Sequence, residues 1–168
     1  ACWGKDTHRW SIYQNIFYKY KNKLKSIGID GTSFDLFARD CIWADVTNDI
    51  NPNTKASINL DAELFIKKTK SNCANLILFD PPFSNRQSND KYGSSNLYSS
   101  DSGKISRITN QFCRVLKPGG YVIKLGYNST KIKNLEIVEM VIINFGGSRN
   151  DVILTVQKKA NMILGDFK

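Results

Sequence analysis

Histidine is almost absent from this chain: His8 is the only one in 168 residues. The four cysteines, Cys2, Cys41, Cys73 and Cys113, stand far apart and form no C-x-x-C pair. Zinc sites draw on clustered Cys and His ligands, so no metal is expected; Cys2 and His8 would come together only through folding. Isolated thiols also exclude a disulfide-dense scaffold. With no export signal at the N-terminus, they fit a reducing, cytoplasmic setting. No apolar run approaches the roughly 20 residues of a membrane helix, which excludes a helical membrane span. No G-x-G-x-x-G follows any predicted strand, which weighs against a dinucleotide-dependent oxidoreductase.

Acidic residues are also few, 15 Asp+Glu against 24 Lys+Arg, for a net charge of +9. A basic domain attracts polyanions, and nucleic acid is the commonest of these. Solubility, or the Lys/Asn/Ile bias of AT-rich coding, explains the same charge more blandly. Hydrophobic residues make up 41% and charged residues 23%, which excludes a disordered or collagen-like chain. The length suits one domain, burying about 70% of its unfolded surface.

What is present reads as alternating elements. Trp10, Tyr13, Phe17, Tyr20, Leu24 and Ile27 recur at steps of three and four, which predicts one helical stripe ending at Gly28. Lys19, Lys21, Lys23 and Lys25 crowd its second half. They read as solvated lysines on a helix whose stripe mainly packs on the core, and the same lysines are also candidate contacts to phosphates. Beyond Gly31, strands are expected at 34–37, 43–48 and 57–60, and a helix at 61–68. The apolar run Leu76-Ile77-Leu78-Phe79 predicts a strand covered on both faces. Residues 84–104 form a polar, Ser/Asn/Gly-rich stretch, of a length that is usually functional or disordered. A helix is expected at 105–116, closed by Lys117-Pro118-Gly119-Gly120, then a strand at 121–125. Runs at 137–143 and 152–156, split by a Gly-rich turn, predict a hairpin. The expected fold is α/β: a Rossmann-like doubly wound sheet, mostly parallel, with a C-terminal antiparallel β-hairpin strand.

Asp80-Pro81-Pro82-Phe83 directly follows the buried strand, at the carboxyl end where open α/β sheets bind ligands. Asp80 supplies an acceptor. The two prolines stiffen the turn and bring no N–H donors, and Phe83 supplies a flat apolar face. An exocyclic amino group on a nucleobase is a poor nucleophile, because its lone pair is delocalised into the ring. Two acceptors, the Asp80 carboxylate and the Pro81 carbonyl, favour a pyramidal nitrogen, and a stacked ring fixes the base. A rigid turn with Phe83 in the core is the competing reading.

A strand ending in D-P-P-F, then a helix, then Leu116-Lys117-Pro118-Gly119-Gly120 and another strand, resembles the class I S-adenosylmethionine-dependent methyltransferases. Within them it is most similar to the amino-methyltransferases of DNA and RNA, whose signature is Asp, Asn or Ser, two prolines and an aromatic residue. The resemblance covers roughly residues 33–158. With the basic amphipathic helix read from periodicity over 1–30, it implies a catalytic domain over 31–168, in a single domain overall. It implies S-adenosylmethionine as cofactor, with Asp35, Phe37 and Ala38 where the first strand enters the cofactor loop. Asp49, followed by Ile50, would hold the ribose hydroxyls. Asp61, with Ala62 beside it, would hold the adenine amino group, and Asp80 would face both cofactor and target. Alternatively, Asp49 opens an Asx turn and Asp61 caps a helix. The family's first loop reads D-x-F-x-G-x-G, but here Arg39 and Cys41 stand where the glycines belong. That departure predicts a displaced loop, weaker cofactor binding or lost catalysis.

The function so implied is methyl transfer to a base amino group, adenine in DNA first, with base amino groups of ribosomal RNA as the rival. A third reading is a nucleic-acid-binding module that no longer catalyses. In-line displacement from a sulfonium needs no general base. A duplex target would be flipped out of the stack to reach Phe83, and Arg86, Gln87 and Lys91 in the polar stretch are candidate readers or phosphate contacts. The chain has no room for a separate recognition domain. Specificity would then come from that stretch, the basic helix, a homo-oligomer or a partner protein.

Overall fold

A computed structural model describes residues 7–82, 102–144 and 151–161. The chain opens with α1 (Thr7–Ser26), and Gly28, at φ 70°, turns it toward the sheet. There follow β1 (Thr32–Asp35), β2 (Val46–Thr47), α2 (Ala62–Lys68) and β3 (Ala74–Phe79). After them come α3 (Ser102–Thr109), α4 (Phe112–Val115), β4 (Leu116–Gly126), β5 (Leu135–Ile143) and β6 (Val152–Lys159). The strands form one sheet in the order β2-β1-β3-β4-β6-β5. The first four run parallel, and β6 lies antiparallel between β4 and β5. The mostly parallel α/β sheet with its closing hairpin is the architecture expected.

Apolar side chains on both faces of the central strands account for the layering. Ile77, Phe79 and Val122 face α2, α3 and α4 through Phe65, Ile108 and Phe112. Leu76, Leu78 and Ile123 face α1 through Tyr13, Phe17 and Leu24. No helix joins β1 to β2, so α1 covers its face alone among the described helices. Trp43, from the connection between these strands, rests its ring 5.9 Å from Tyr13 and 6.4 Å from Phe17. The lysines of α1 also hold it down. Lys19 pairs with Glu139 of β5 at 2.8 Å, and Lys21 pairs with Asp45 at 2.9 Å.

Several elements differ from expectation, each for a local reason. The strand expected at 57–60 is a single bridge between Asn48 and Ile58. Ser57 and Asn59 there spend their hydrogen bonds through side chains, on Thr47 and on the Asp49 carbonyl. The strand expected at 43–48 shrinks to Val46–Thr47. The Asp45 carboxylate accepts from the Ser33 backbone and hydroxyl, taking a place that a strand carbonyl would fill. The helix expected at 105–116 breaks after Thr109, whose hydroxyl donates back to the Ile105 carbonyl at 3.0 Å. It restarts as α4. Lys117-Pro118-Gly119-Gly120 is not a turn but an irregularity inside β4, where the pairing with β3 shifts between Ala74 and Leu76. Gly119 takes φ 76°, and a Cβ on Gly120 would sit 3.0 Å from the Asn75 carbonyl. Residues 102–104 of the polar stretch belong to α3.

Because one helix seals one whole face, its core residues carry much of the stability. Phe17→Ala removes a fully buried ring and is expected to cost about 3–5 kcal/mol, read by urea denaturation.

Candidate active site

Parallel pairing sets the carboxyl ends of β2, β1 and β3 side by side. An aspartate stands at each: Asp49 just beyond β2, Asp35 as the last residue of β1, and Asp80 directly after β3. All three are buried, none more than 1% exposed. Burial holds the Asp35 carboxyl above its ordinary range, and the nearby Asp49 charge adds to the rise. Burial raises Asp49 as well, against hydrogen bonds from the Asn51 and Arg39 backbones that pull it down. Asp35 Oδ1 accepts from the Phe37 N–H at 3.1 Å, while its buried Oδ2 has no hydrogen-bond partner among the described residues.

The loop after β1 keeps a glycine-like shape without glycine. Arg39 adopts φ 52°, in the left-handed region, at a cost of about 1–2 kcal/mol for a residue with a Cβ. Hydrogen bonds enforce that shape. The Arg39 N–H donates to Asp49 Oδ2 at 2.9 Å, the Ala38 N–H to the Asn48 carbonyl at 2.9 Å, and the Cys41 N–H to the Ala38 carbonyl at 2.8 Å. The Arg39 side chain is partly exposed and Cys41 is fully buried. Phe37 and Ala38 are buried too, with the Phe37 ring 5.7 Å from that of Phe79.

Asp49 makes the Asx turn, accepting from the Asn51 N–H at 2.9 Å, with half-buried Ile50 between. Asp61 caps α2, accepting from the Glu63 and Leu64 N–H groups, and its Oδ2 pairs with Lys104 of α3 at 2.7 Å. Ala62, the first residue of α2, is buried beneath it. Sequence reasoning missed Asn48. Its amide donates to the Leu36 and Leu60 carbonyls and its oxygen accepts from the Leu60 N–H, so one buried side chain braces the ends of three segments.

Pro81 and Pro82 are buried and border a cleft of about 520 Å³. That volume lies within the range of small-ligand sites. Its walls are α3 and the connection from β4 to β5, and Phe79 and Lys124 help to line it. Lys124 pairs with Phe79 across β3 and β4, which sets it one residue in register from Asp80. Sequence reasoning missed this lysine too. Its only signal was a polar residue inside the apolar run 121–125.

Phe83, Arg86, Gln87 and Lys91 lie outside the described residues. Lys19 and Lys21 are engaged in the ion pairs above, and Lys23 lies over the Tyr20 and Tyr121 rings at 5.6 and 5.8 Å. Lys21 and Lys25 border a second hollow with Gly31 and Thr32. That is the amino end of β1, opposite Pro81. Among the described residues no cluster of His, Cys, Asp and Glu is arranged to hold a metal, and no helix is long and apolar enough to cross a membrane.

No family model and no curated protein matches the chain in sequence. Solved structures do match in fold. The N-methyltransferase NodS from Bradyrhizobium japonicum superposes with a TM-score of 0.58 at 11% identity, over 94% of this chain and 100% of that one. An S-adenosylmethionine-dependent methyltransferase from Methanosarcina mazei superposes with a TM-score of 0.52 at 12% identity, over 79% and 94%. The chain therefore has the class I methyltransferase fold.

Two predictions follow from the loop and the buried acid. Arg39→Gly relieves the left-handed strain and is expected to change stability by less than about 1 kcal/mol, whereas Arg39→Val costs about 1–2 kcal/mol; thermal denaturation of both decides. Asp35→Asn removes a buried charge that burial disfavours and is expected to raise stability at neutral pH. A carboxyl whose folded value is raised costs stability above that value, and the cost vanishes below its unfolded value of about 4. The gain over the native chain should therefore shrink as pH falls through that window, followed by denaturation at several pH values.

Proposed function

We propose that the protein is an S-adenosylmethionine-dependent methyltransferase acting on an exocyclic amino group of a nucleobase, with adenine in DNA the first candidate. One observation carries the reading. Asp80-Pro81-Pro82 stands between the buried acids of β1 and β2 on one side and a ligand-sized cleft on the other.

The residues present fit the cofactor. S-adenosylmethionine is a cation at its sulfonium and its amino group, and the orphaned Asp35 Oδ2 offers an acceptor with negative charge. Asp49 on the ribose and Asp61 on the adenine amino group complete the set; Asp61 would keep its capping bonds and turn Oδ2 from Lys104 to the ligand. When bound, the cofactor supplies an activated methyl group. The chain's own residues orient and dehydrate the target. The Asp80 carboxylate and the Pro81 carbonyl accept the two amino N–H bonds, which holds the nitrogen lone pair free of the ring. The two prolines fix that pair of acceptors by restricting φ, and Phe83 would stack on the base. The proton leaves to water after transfer, so no basic side chain is required. The Arg39 backbone lies in the left-handed region that glycine favours, which supports a cofactor loop here without glycine at that position.

Labelled methyl donor is offered to DNA and to ribosomal RNA, followed by digestion and identification of the modified nucleoside. Label in N6-methyladenine of DNA is expected, and Asp80→Ala should lower it about 100-fold or more. Label on RNA alone would move the substrate to the rival class. Undiminished transfer by Asp80→Ala would remove the catalytic assignment. Calorimetric titration with S-adenosylmethionine separates a binding-competent protein from a scaffold that has lost its cofactor.

A further inference from the structure

Lys124 is a half-buried cation near the end of β4. Its ammonium donates to Asn128 Oδ1 at 3.1 Å and to the Thr130 carbonyl at 3.2 Å, both neutral acceptors. An ammonium has three N–H donors, and among the described residues no carboxylate pairs with this one. Burial pushes its pKa down from the usual lysine value. Keeping such a charge half-buried is unfavourable unless an anion compensates it.

The surroundings say which anion. Among the described residues, no Asp or Glu borders the cleft that Lys124 shares with Pro81 and Pro82. Lys131 and Lys133, both exposed, line the same wall, so positive charge continues along the β4–β5 connection toward solvent. Tyr127, 47% exposed, offers an aromatic face on that wall. Cations at intervals with an aromatic face between them suit a nucleic-acid strand, whose phosphates and bases alternate. The lysines of α1 are poorer candidates, since Lys19 and Lys21 are neutralised by Glu139 and Asp45.

We infer that the cleft between α3 and the β4–β5 connection is the entry groove for the nucleic-acid strand, with Lys124 holding the phosphate beside the target nucleotide and Lys131 and Lys133 the phosphates further out. This rests on the methyltransferase reading only for the identity of the target; the groove itself is a phosphate-binding site.

Affinity for a fluorescent single-stranded DNA oligonucleotide, and for the RNA of the same sequence, is measured by anisotropy across a salt series without methyl donor. Lys124→Gln is expected to weaken binding alike for all sequences and to reduce the slope of log Kd against log salt by about 0.7, the share of one single-strand phosphate. Lys124→Arg should restore the slope. The double variant Lys131→Gln/Lys133→Gln changes exposed residues only and should lower the slope by about twice that amount, which keeps the test valid if Lys124→Gln fails to fold. Unchanged slopes, or no binding by the native chain, would overturn the groove. Because no methyl donor is present, a reduced slope in a protein that transfers no methyl group would sink the enzymatic reading and leave the groove standing. Normal transfer with unchanged slopes would do the reverse.

Discussion

Parallel pairing of β1 with β2 and β3 is the constraint from which the site follows. Strands that run the same way end at the same edge, so three aspartates far apart in sequence become neighbours. Their burial is possible because the strands are apolar on both faces and both faces are covered. Helices α2, α3 and α4 shield one side and α1 the other. The carboxylates are left at an edge where backbone N–H groups can meet them, and Asp49 takes two such bonds at once. A charged rim on an apolar sheet is unfavourable in isolation; here it is held by the tightly hydrogen-bonded loops around it.

Those loops also explain the division of labour among the acids. Asp49 and Asp61 both serve the fold, one closing a turn and the other starting a helix. Asp35 differs, since its Oδ2 has no hydrogen-bond partner among the described residues. Asp49 and Asp61 are satisfied within the chain, and Asp35 is the acid that the proposed cationic cofactor would complete. On the far side of the prolines the pattern inverts, with Lys124 a positive charge that pairs with no carboxylate among the described residues. The edge thus separates a negative half from a positive one, with the stiff turn between them.

Much of this was legible in the sequence because it rests on local signals. The run Leu76–Phe79 is apolar without a break, and Asp80 follows it at once, so strand and motif were placed together. The one-stripe pattern of Tyr13, Phe17, Tyr20 and Leu24 was equally clear, and all four are buried. The illegible parts depend on partners distant in the chain. Nothing near residue 57 reveals that Ser57 will bond Thr47 rather than extend a strand. Nothing near Gly119 reveals that β4 will slip against β3 there. The lysines of α1 read as a free basic stripe only while Glu139 and Asp45 were unplaced. Lys124 was hidden by its position among hydrophobic residues, although that setting gives it its significance.

The bend at Arg39 bears on how such loops diversify. A glycine signature is shorthand for a torsion angle, written in the name of its commonest tenant. Once Asp49, Asn48 and Ala38 clasp the surrounding backbone, the angle is guaranteed by the neighbourhood, and the tenant is free to change. A substitution at that position that leaves the clasp intact leaves the contour intact as well.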